Sequence, residues 1–422
     1  MLLALLAFSL FTHVQITSAQ TVILGNVVHV KTETELRNAV YSATSGVSAV
    51  IVLDRDIGLT GTTLTIPRGA DVSLRSDNEL ARNSGVEFFR LFSVADVSTI
   101  TVENGGLLKL DGIIVTHNAD AYGSGVVVNF GGILTMYDGE ISGNTANGGG
   151  GIYNLGRFSL YGGTITQNTA DNGGGVANDG SQAYFTMSGG EITNNIASKG
   201  GGGLINTMGG TFSLFGGVIS SNIASWGGGL YNYGSYFTMS GGEISNNIAT
   251  NTVSGGGGIA FDGSKFDMEG GVIAGNRAPN GAGMYLSNGR VQLSGGVISN
   301  NTASVSGGGI YTQFFEVLYV FDSMVFANNQ ATSAYSREPL HDELYQTQID
   351  TNIVWSFPFR QGYNNYDIGY TSKIPISDTV LGQSPNIQLD PSPRISIYVT
   401  GLLALITCIT AVILNFYVKK SN

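Results

Sequence analysis

Apolar residues recur through the middle of this chain in short alternating runs separated by glycine, and the runs themselves repeat. In Phe237-Thr238-Met239-Ser240-Gly241-Gly242-Glu243-Ile244-Ser245-Asn246-Asn247, Phe237 and Met239 alternate with Thr238 and Ser240. That period of two marks a short, half-buried strand. The glycine pair bends the chain, and Ile244 points inward from a second strand. Upstream, Gly227-Gly228-Gly229-Leu230-Tyr231-Asn232 supplies a third, with Leu230 inward and Tyr231 outward. The isoleucine recurs at Ile141, Ile165, Ile192, Ile219, Ile244, Ile273 and Ile298, in steps of 24 to 29 residues. A unit of that length completes itself by stacking on its neighbours. Three strands and three turns per unit predict one coil of an all-β solenoid, a parallel β-helix, with coils about 4.8 Å apart.

Inward positions then fall into columns. One runs Phe158, Phe185, Phe212, Phe237, Phe266, Val291; a second runs Met136, Leu160, Met187, Leu214, Met239, Met268, Leu293. A third runs Ile152, Val176, Leu204, Leu230, Ile259, Met284, Ile310. Side chains of near-constant volume stacked on one another predict a close-packed, dry core. The glycine runs, such as 149–151 and 173–175, suit a corner that needs positive φ or lacks room for a Cβ. Asn144, Asn168, Asn195, Asn222, Asn247, Asn276 and Asn301 predict an internal amide ladder. Asparagine tolerates left-handed turn geometry, and each amide can bond the next.

The ends of a solenoid expose a raw strand edge and must be covered. A capping-box pattern at Thr32 to Glu35, with Leu36, Val40 and Ala43 on one helical face, predicts an N-terminal cap over residues 30–47. The β-helix is assigned to 48–331. Trp355, Phe357, Phe359 and Tyr363 give 332–370 the apolar bulk of a C-terminal cap, and the prolines of 371–394 suit a tether.

Two apolar segments place the rod. Residues 1–19 read as a signal peptide, with an apolar stretch from Leu2 to Phe11 and small residues at Thr17-Ser18-Ala19. Ile395 to Val418 carries no charge and is long enough, at ~1.5 Å per residue, to span a bilayer as a transmembrane helix. Lys419 and Lys420 follow at once, which puts the tail 419–422 in the cytoplasm and residues 20–394 outside the cell membrane.

Composition narrows the partners. Glycine makes up 62 of 422 residues, charged residues only 12%, and the formal net charge is −11. That balance argues against nucleic acid. The only cysteine, Cys408, falls in the apolar C-terminal segment, so no disulfide and no thiol chemistry is expected outside the membrane.

The alternation of Gly-Gly-Gly-Ile/Leu/Val with Ile-Ser-x-Asn resembles the polymorphic outer-membrane-protein repeat, whose motifs are Gly-Gly-Ala-Ile and Phe-x-x-Asn. Phe326-Ala327-Asn328-Asn329 matches the second form directly, whereas the other coils place isoleucine there. Residues 30–331 also resemble the right-handed β-helix, pectin-lyase-like adhesin domains of microbial surface proteins. The resemblance implies a right-handed coil and an adhesive or host-contact role. Members of the outer-membrane family end in a translocating barrel and this chain in one helix, so that export route is not implied.

Polysaccharide lyases and hydrolases share this fold, so only residues can decide between enzyme and binder. Asn-Thr-Asp, Asp-Asp, Gly-His-Gly and Arg-Ile-Lys motifs are absent. The strongest catalytic candidates are Glu140, Glu191 and Glu243, outward on alternate coils and so about 9.6 Å apart. An inverting glycosidase pair spans ~6.5–9.5 Å. Equally, acids on alternate coils keep like charges from stacking. No cofactor or metal is expected. Outward aromatics offer a binding face instead: Tyr137 and Tyr161 on adjacent coils with Phe215 beyond, and Tyr153, Tyr231, Tyr285 and Tyr311 on a second column. Such rings pack against sugar faces or a protein surface, or simply against each other. The expected function is adhesion or contact with a glycan or surface protein, without catalysis. The alternatives are a polysaccharide-cleaving enzyme and a passive spacer.

Overall fold

In a computed structural model, the described residues are 26–43, 48–118, 120–312, 317–321, 323–332 and 367–370. They wind into a parallel β-solenoid of about 11 turns. The segments expected to be a signal peptide (1–19), tether (371–394), transmembrane helix (395–418) and tail (419–422), and most of the expected C-terminal cap (332–370), lie outside the described residues. Among those described, no helix is long and apolar enough to cross a membrane.

Among the described residues, the paired strands are all parallel and join one coil to the next, apart from a lone antiparallel bridge between Gly123 and Thr145. Face A carries strands such as Arg157–Leu160, Tyr184–Met187 and Thr211–Leu214, in register Phe158↔Phe185↔Phe212. Face B carries Thr164–Thr166, Glu191–Thr193 and Val218–Ser220, in register Ile165↔Ile192↔Ile219. Face C carries Ile152–Asn154, Val176–Asp179, Leu204–Thr207 and Leu230–Tyr233, in register Ile152↔Val176↔Leu204↔Leu230. The apolar columns are therefore aligned as the alternation predicts, and their members are buried. Phe158, Phe185, Phe212, Phe237 and Phe266 stack with ring centroids 4.5 to 5.1 Å apart. Such stacking adds about 0.5–1.5 kcal/mol per pair beyond the burial of area.

The coil differs from the expected three strands by a fourth, short one. Strands such as Thr145–Gly148, Thr169–Asn172 and Ile196–Gly200 form a separate sheet of seven, between faces B and C. Its inward residue is alanine: Ala146, Ala170, Ala197, Ala224, Ala249, Ala278 and Ala303 are all buried. A methyl group is all that a narrow arm admits, so the strand carries no large apolar letter.

The asparagine ladder is present and longer than the seven expected members. Each Nδ2 from Asn144 to Asn301 donates to the next Oδ1, through to Asn329, at 2.8 to 3.1 Å. Each ladder residue also sends its backbone N–H to that same oxygen. His117 Nδ1 donates to Asn144 Oδ1 at 2.6 Å, and Asn329 Nδ2 donates to Asp367 Oδ1 at 3.1 Å, closing the two ends. One expectation is corrected. The left-handed residue is the one before the ladder asparagine: Gln167, Asn194, Ser221, Asn246, Asn300 and Asn328 have φ of 55 to 57°.

The first residue of the glycine triplets 149–151 and 173–175 is left-handed, with φ of 57° at Gly149 and 65° at Gly173. Its successors lack room: a Cβ on Gly174 would lie 2.5 Å from the Ile196 carbonyl oxygen. The N-terminal cap is helix α1, Glu33–Ser42, with Thr32 and Glu35 forming the capping box and Leu36, Ala39 and Val40 buried. Burial alone would push the Glu33 carboxyl up. Hydrogen bonds from Thr60 and Arg37 outweigh it and hold the group below its ordinary range, tying α1 to the coil beneath.

Candidate binding groove

The outward aromatics divide into two sets with different surroundings. Tyr137, Tyr161 and Phe215 are exposed on the corner that follows face A. Tyr137 and Tyr161 stack at 5.5 Å with their planes 11° apart. Phe215 continues that corner two coils on, with Ser188 between.

Tyr153, Tyr231, Tyr285 and Tyr311 share an outward column on face C, through the register Tyr153↔Ala177↔Ile205↔Tyr231↔Ala260↔Tyr285↔Tyr311. Tyr285 departs from expectation. It is only 4% exposed, stacked on Tyr311 at 5.4 Å. A ring so covered packs against its neighbour rather than presenting a face to solvent.

Tyr153 and Tyr231 instead line a groove of about 710 Å³ between face C and the short arm sheet. Its arm wall includes Asn147, Gly148 and Asn172, and its floor Ala177 and Ile205. The Tyr153 ring lies about where a Cβ on Gly148 would point, at 3.5 Å, and the Tyr231 ring takes the space beside Gly200. Gly200 in the arm thus makes room for Tyr231, whereas Tyr153 meets Gly148 at an ordinary contact distance. Tyr233, Asp179 and Met208 complete the lip.

Beneath this floor runs a second amide ladder that the sequence reading missed. Asn154, Asn178, Asn206 and Asn232 are fully buried, each Nδ2 donating to the next Oδ1 at 2.7 Å. The ladder stops where Phe261 takes the next position, in register with Asn232. Its signal was legible: an asparagine two residues after the inward apolar residue in four successive coils. The ladder fixes the strands from which the groove's rings project.

Three electrostatic features mark the groove. The Tyr153 hydroxyl donates to Asp179 Oδ2 at 2.6 Å. Burial, then that hydrogen bond and the carboxylate's charge, push the Tyr153 hydroxyl up to about 12. Burial, with the charge of Asp262 next, does the same to Tyr231. The other Asp179 oxygen, Oδ1, is buried without a hydrogen-bond partner. A buried acceptor left unmet costs about 1–3 kcal/mol.

Met208 is the most unusual residue at the lip. Its φ is 52° and its side chain 72% exposed. The equivalent turn residues in the coils on either side are Gly180 and Gly234, both with positive φ. A left-handed conformation costs an ordinary L residue roughly 1–2 kcal/mol. This coil accepts that strain and an exposed apolar side chain at one position.

Glu140, Glu191 and Glu243 lie on face B, in register Glu140↔Thr164↔Glu191↔Val218↔Glu243. They recur every second coil, as the repeat predicts, and none lines the groove. The register puts an uncharged residue between each pair of acids.

No family model, curated protein or solved structure matches this chain. The resemblance to polymorphic outer-membrane-protein repeats and to pectin-lyase-like adhesins therefore rests on the repeat motifs alone.

Proposed function

We propose that this chain is a contact protein that binds a ligand in the groove of Tyr153, Tyr231, Tyr233 and Met208, without chemical turnover. The observation that carries this reading is Met208. A strained, exposed methionine stands where the neighbouring coils carry glycine, beside tyrosines and a buried, unpartnered carboxylate oxygen. Strained residues concentrate at ligand sites because the surrounding structure over-determines them. Apolar and aromatic lining with few polar groups is the usual make-up of a ligand cleft. The ligand is then a glycan or a surface protein segment offering a flat apolar face and a hydrogen-bond donor.

Residues 1–19 and 395–418 support display outside the cell membrane on a single C-terminal helix, with the rod as an adhesive ectodomain. The adhesin-like repeat motifs support the same role. A glycan array and a cell-surface binding screen with the purified full-length chain test it. Specific, saturable binding that is lost in Tyr231→Ala and Met208→Gly supports the reading. Met208→Gly relieves the turn while removing the side chain, so lost binding with retained stability separates contact from folding. Absence of any saturable ligand, or binding unchanged in both variants, sinks it.

A further inference from the structure

A second cluster of ligating side chains sits at the first coils, apart from the groove. Strands Asn26–Val30, Ala49–Leu53 and Asp71–Ser76 stack in register Val30↔Leu53↔Ser76. The ladder continues one step further, with Asp54 N–H donating to the Val30 carbonyl at 3.0 Å and Asp77 N–H to that of Leu53 at 2.8 Å. Asp54 and Asp77 thus leave adjacent coils at one position, about 4.8 Å apart. Like charges directly opposite are destabilising in a sheet. A cation beside the pair offsets that repulsion; Lys31 is one such group, 3.7 Å from Asp54.

An imidazole faces both carboxylates. His29 Nδ1 lies 2.6 Å from Asp54 Oδ1 and 3.8 Å from Asp77 Oδ2. One donor atom from each residue falls within 4.8 Å of the other two. The other Asp77 oxygen accepts from the Glu79 and Leu80 backbone N–H groups at 3.0 and 2.9 Å, which leaves Oδ2 facing the cluster. The Asp54 side chain is 8% exposed and that of His29 51%, so the carboxylates form a fixed wall and the ring faces solvent. Lys31 Nζ is 3.7 Å from Asp54 Oδ2, on a side chain 65% exposed that is free to swing away.

We propose that His29, Asp54 and Asp77 bind a divalent transition-metal ion of the zinc class, with solvent completing its coordination. One imidazole nitrogen and two carboxylate oxygens suit such an ion, whereas calcium and magnesium favour all-oxygen sites. Zinc bonds of ~2.0–2.2 Å place tetrahedral donor atoms roughly 3.4 Å apart. The His29–Asp77 separation is near that already, and the His29–Asp54 pair reaches it by opening less than an ångström. The ion would staple three successive coils at the raw N-terminal edge.

The test is titration of the purified, chelator-treated full-length chain with zinc alone, followed by calorimetry and by thermal melting. One saturable zinc per chain and a raised melting temperature are expected. His29→Ala and Asp77→Asn should each weaken binding roughly tenfold or more, since even outer-shell partners carry that much affinity. Asparagine caps a helix as well as aspartate, so Asp77→Asn should keep the metal-free melting temperature and remains informative if His29→Ala folds poorly. Lys31→Ala should bind as tightly or tighter, and calcium at the same concentration should not compete. Absence of saturable zinc binding, or zinc bound equally by both ligand variants, overturns the proposal.

Discussion

Asn168 sends both its backbone N–H and its side-chain Nδ2 to a single atom, Asn195 Oδ1, at 3.0 Å each. Asn195 in turn donates to the Ile165 carbonyl at 2.9 Å. Every group here is fully buried. Asn195→Leu should therefore leave two donors and one acceptor unmet, at about 1–3 kcal/mol each before relaxation. A loss of roughly 3–6 kcal/mol in denaturant unfolding is expected. Asn194→Gly, one residue earlier at φ 55°, should be nearly neutral, because glycine adopts that geometry freely. Equal effects from the two variants would contradict the ladder.

Phe212 sits between Phe185 and Phe237, at 4.8 and 5.1 Å. Phe212→Ala removes a ring that both neighbours use, and a loss of about 3–5 kcal/mol is expected. A solenoid is coupled only through adjacent coils. Hydrogen exchange should accordingly rise in the coils that carry Phe185, Phe212 and Phe237 and fade toward both ends. Uniform loss of protection along the rod would mean that the coils unfold as one unit.

Much of this architecture was legible before any coordinates. The period-two runs and the isoleucine step specify strands, coil length and the inward columns, because burial at 4.8 Å spacing tolerates little change in side-chain volume. The capping box at Thr32 was equally plain. The arm sheet was not, because Ala146, Ala170 and their successors carry too little apolar bulk to read as a strand. The left-handed position was misplaced by one residue because asparagine stands at both sites in Asn194-Asn195 and Asn246-Asn247. Gly143 and Gly275 in other coils mark the correct one. The groove was hidden for a topological reason. Tyr231 and Tyr285 occupy the same outward column, yet one lines an open cleft and the other is stacked away. Only the packing of the arm and the neighbouring coil separates them.

Glycine supplies a further test. A Cβ on Gly174 would meet the Ile196 and Gly202 carbonyl oxygens at 2.5 and 2.6 Å, both on backbone that cannot swing aside. Gly174→Ala should cost about 1–3 kcal/mol or more, the range for overpacking. At Gly61, where a Cβ meets nothing within 4 Å, the same change should be neutral or slightly stabilising. The comparison is made by thermal melting of the two variants side by side. A tolerated Gly174→Ala would show that adjacent coils separate more easily than their carbonyl contacts imply.

The groove's tyrosines give the last test a sign that can be worked out in advance. Tyr153 and Tyr231 have hydroxyls pushed up to about 12. The unfolded value is about 10. Between these limits the unfolded chain has released protons that the folded chain still holds. Stability must therefore fall as pH rises through that window, and below it the contribution is fully present. In a spectrophotometric titration, Tyr153 and Tyr231 should form phenolate only well above the unfolded value. Tyr153→Phe should remove one late step and reduce the alkaline loss of stability. Asp179→Asn should lower the late step of Tyr153, since the partner keeps an acceptor but loses its charge, leaving burial and a neutral hydrogen bond to hold the hydroxyl up. If Tyr153 ionises near the unfolded value of about 10, the groove floor is more open to water than its packing shows, and its use as a preformed ligand cleft fails with it.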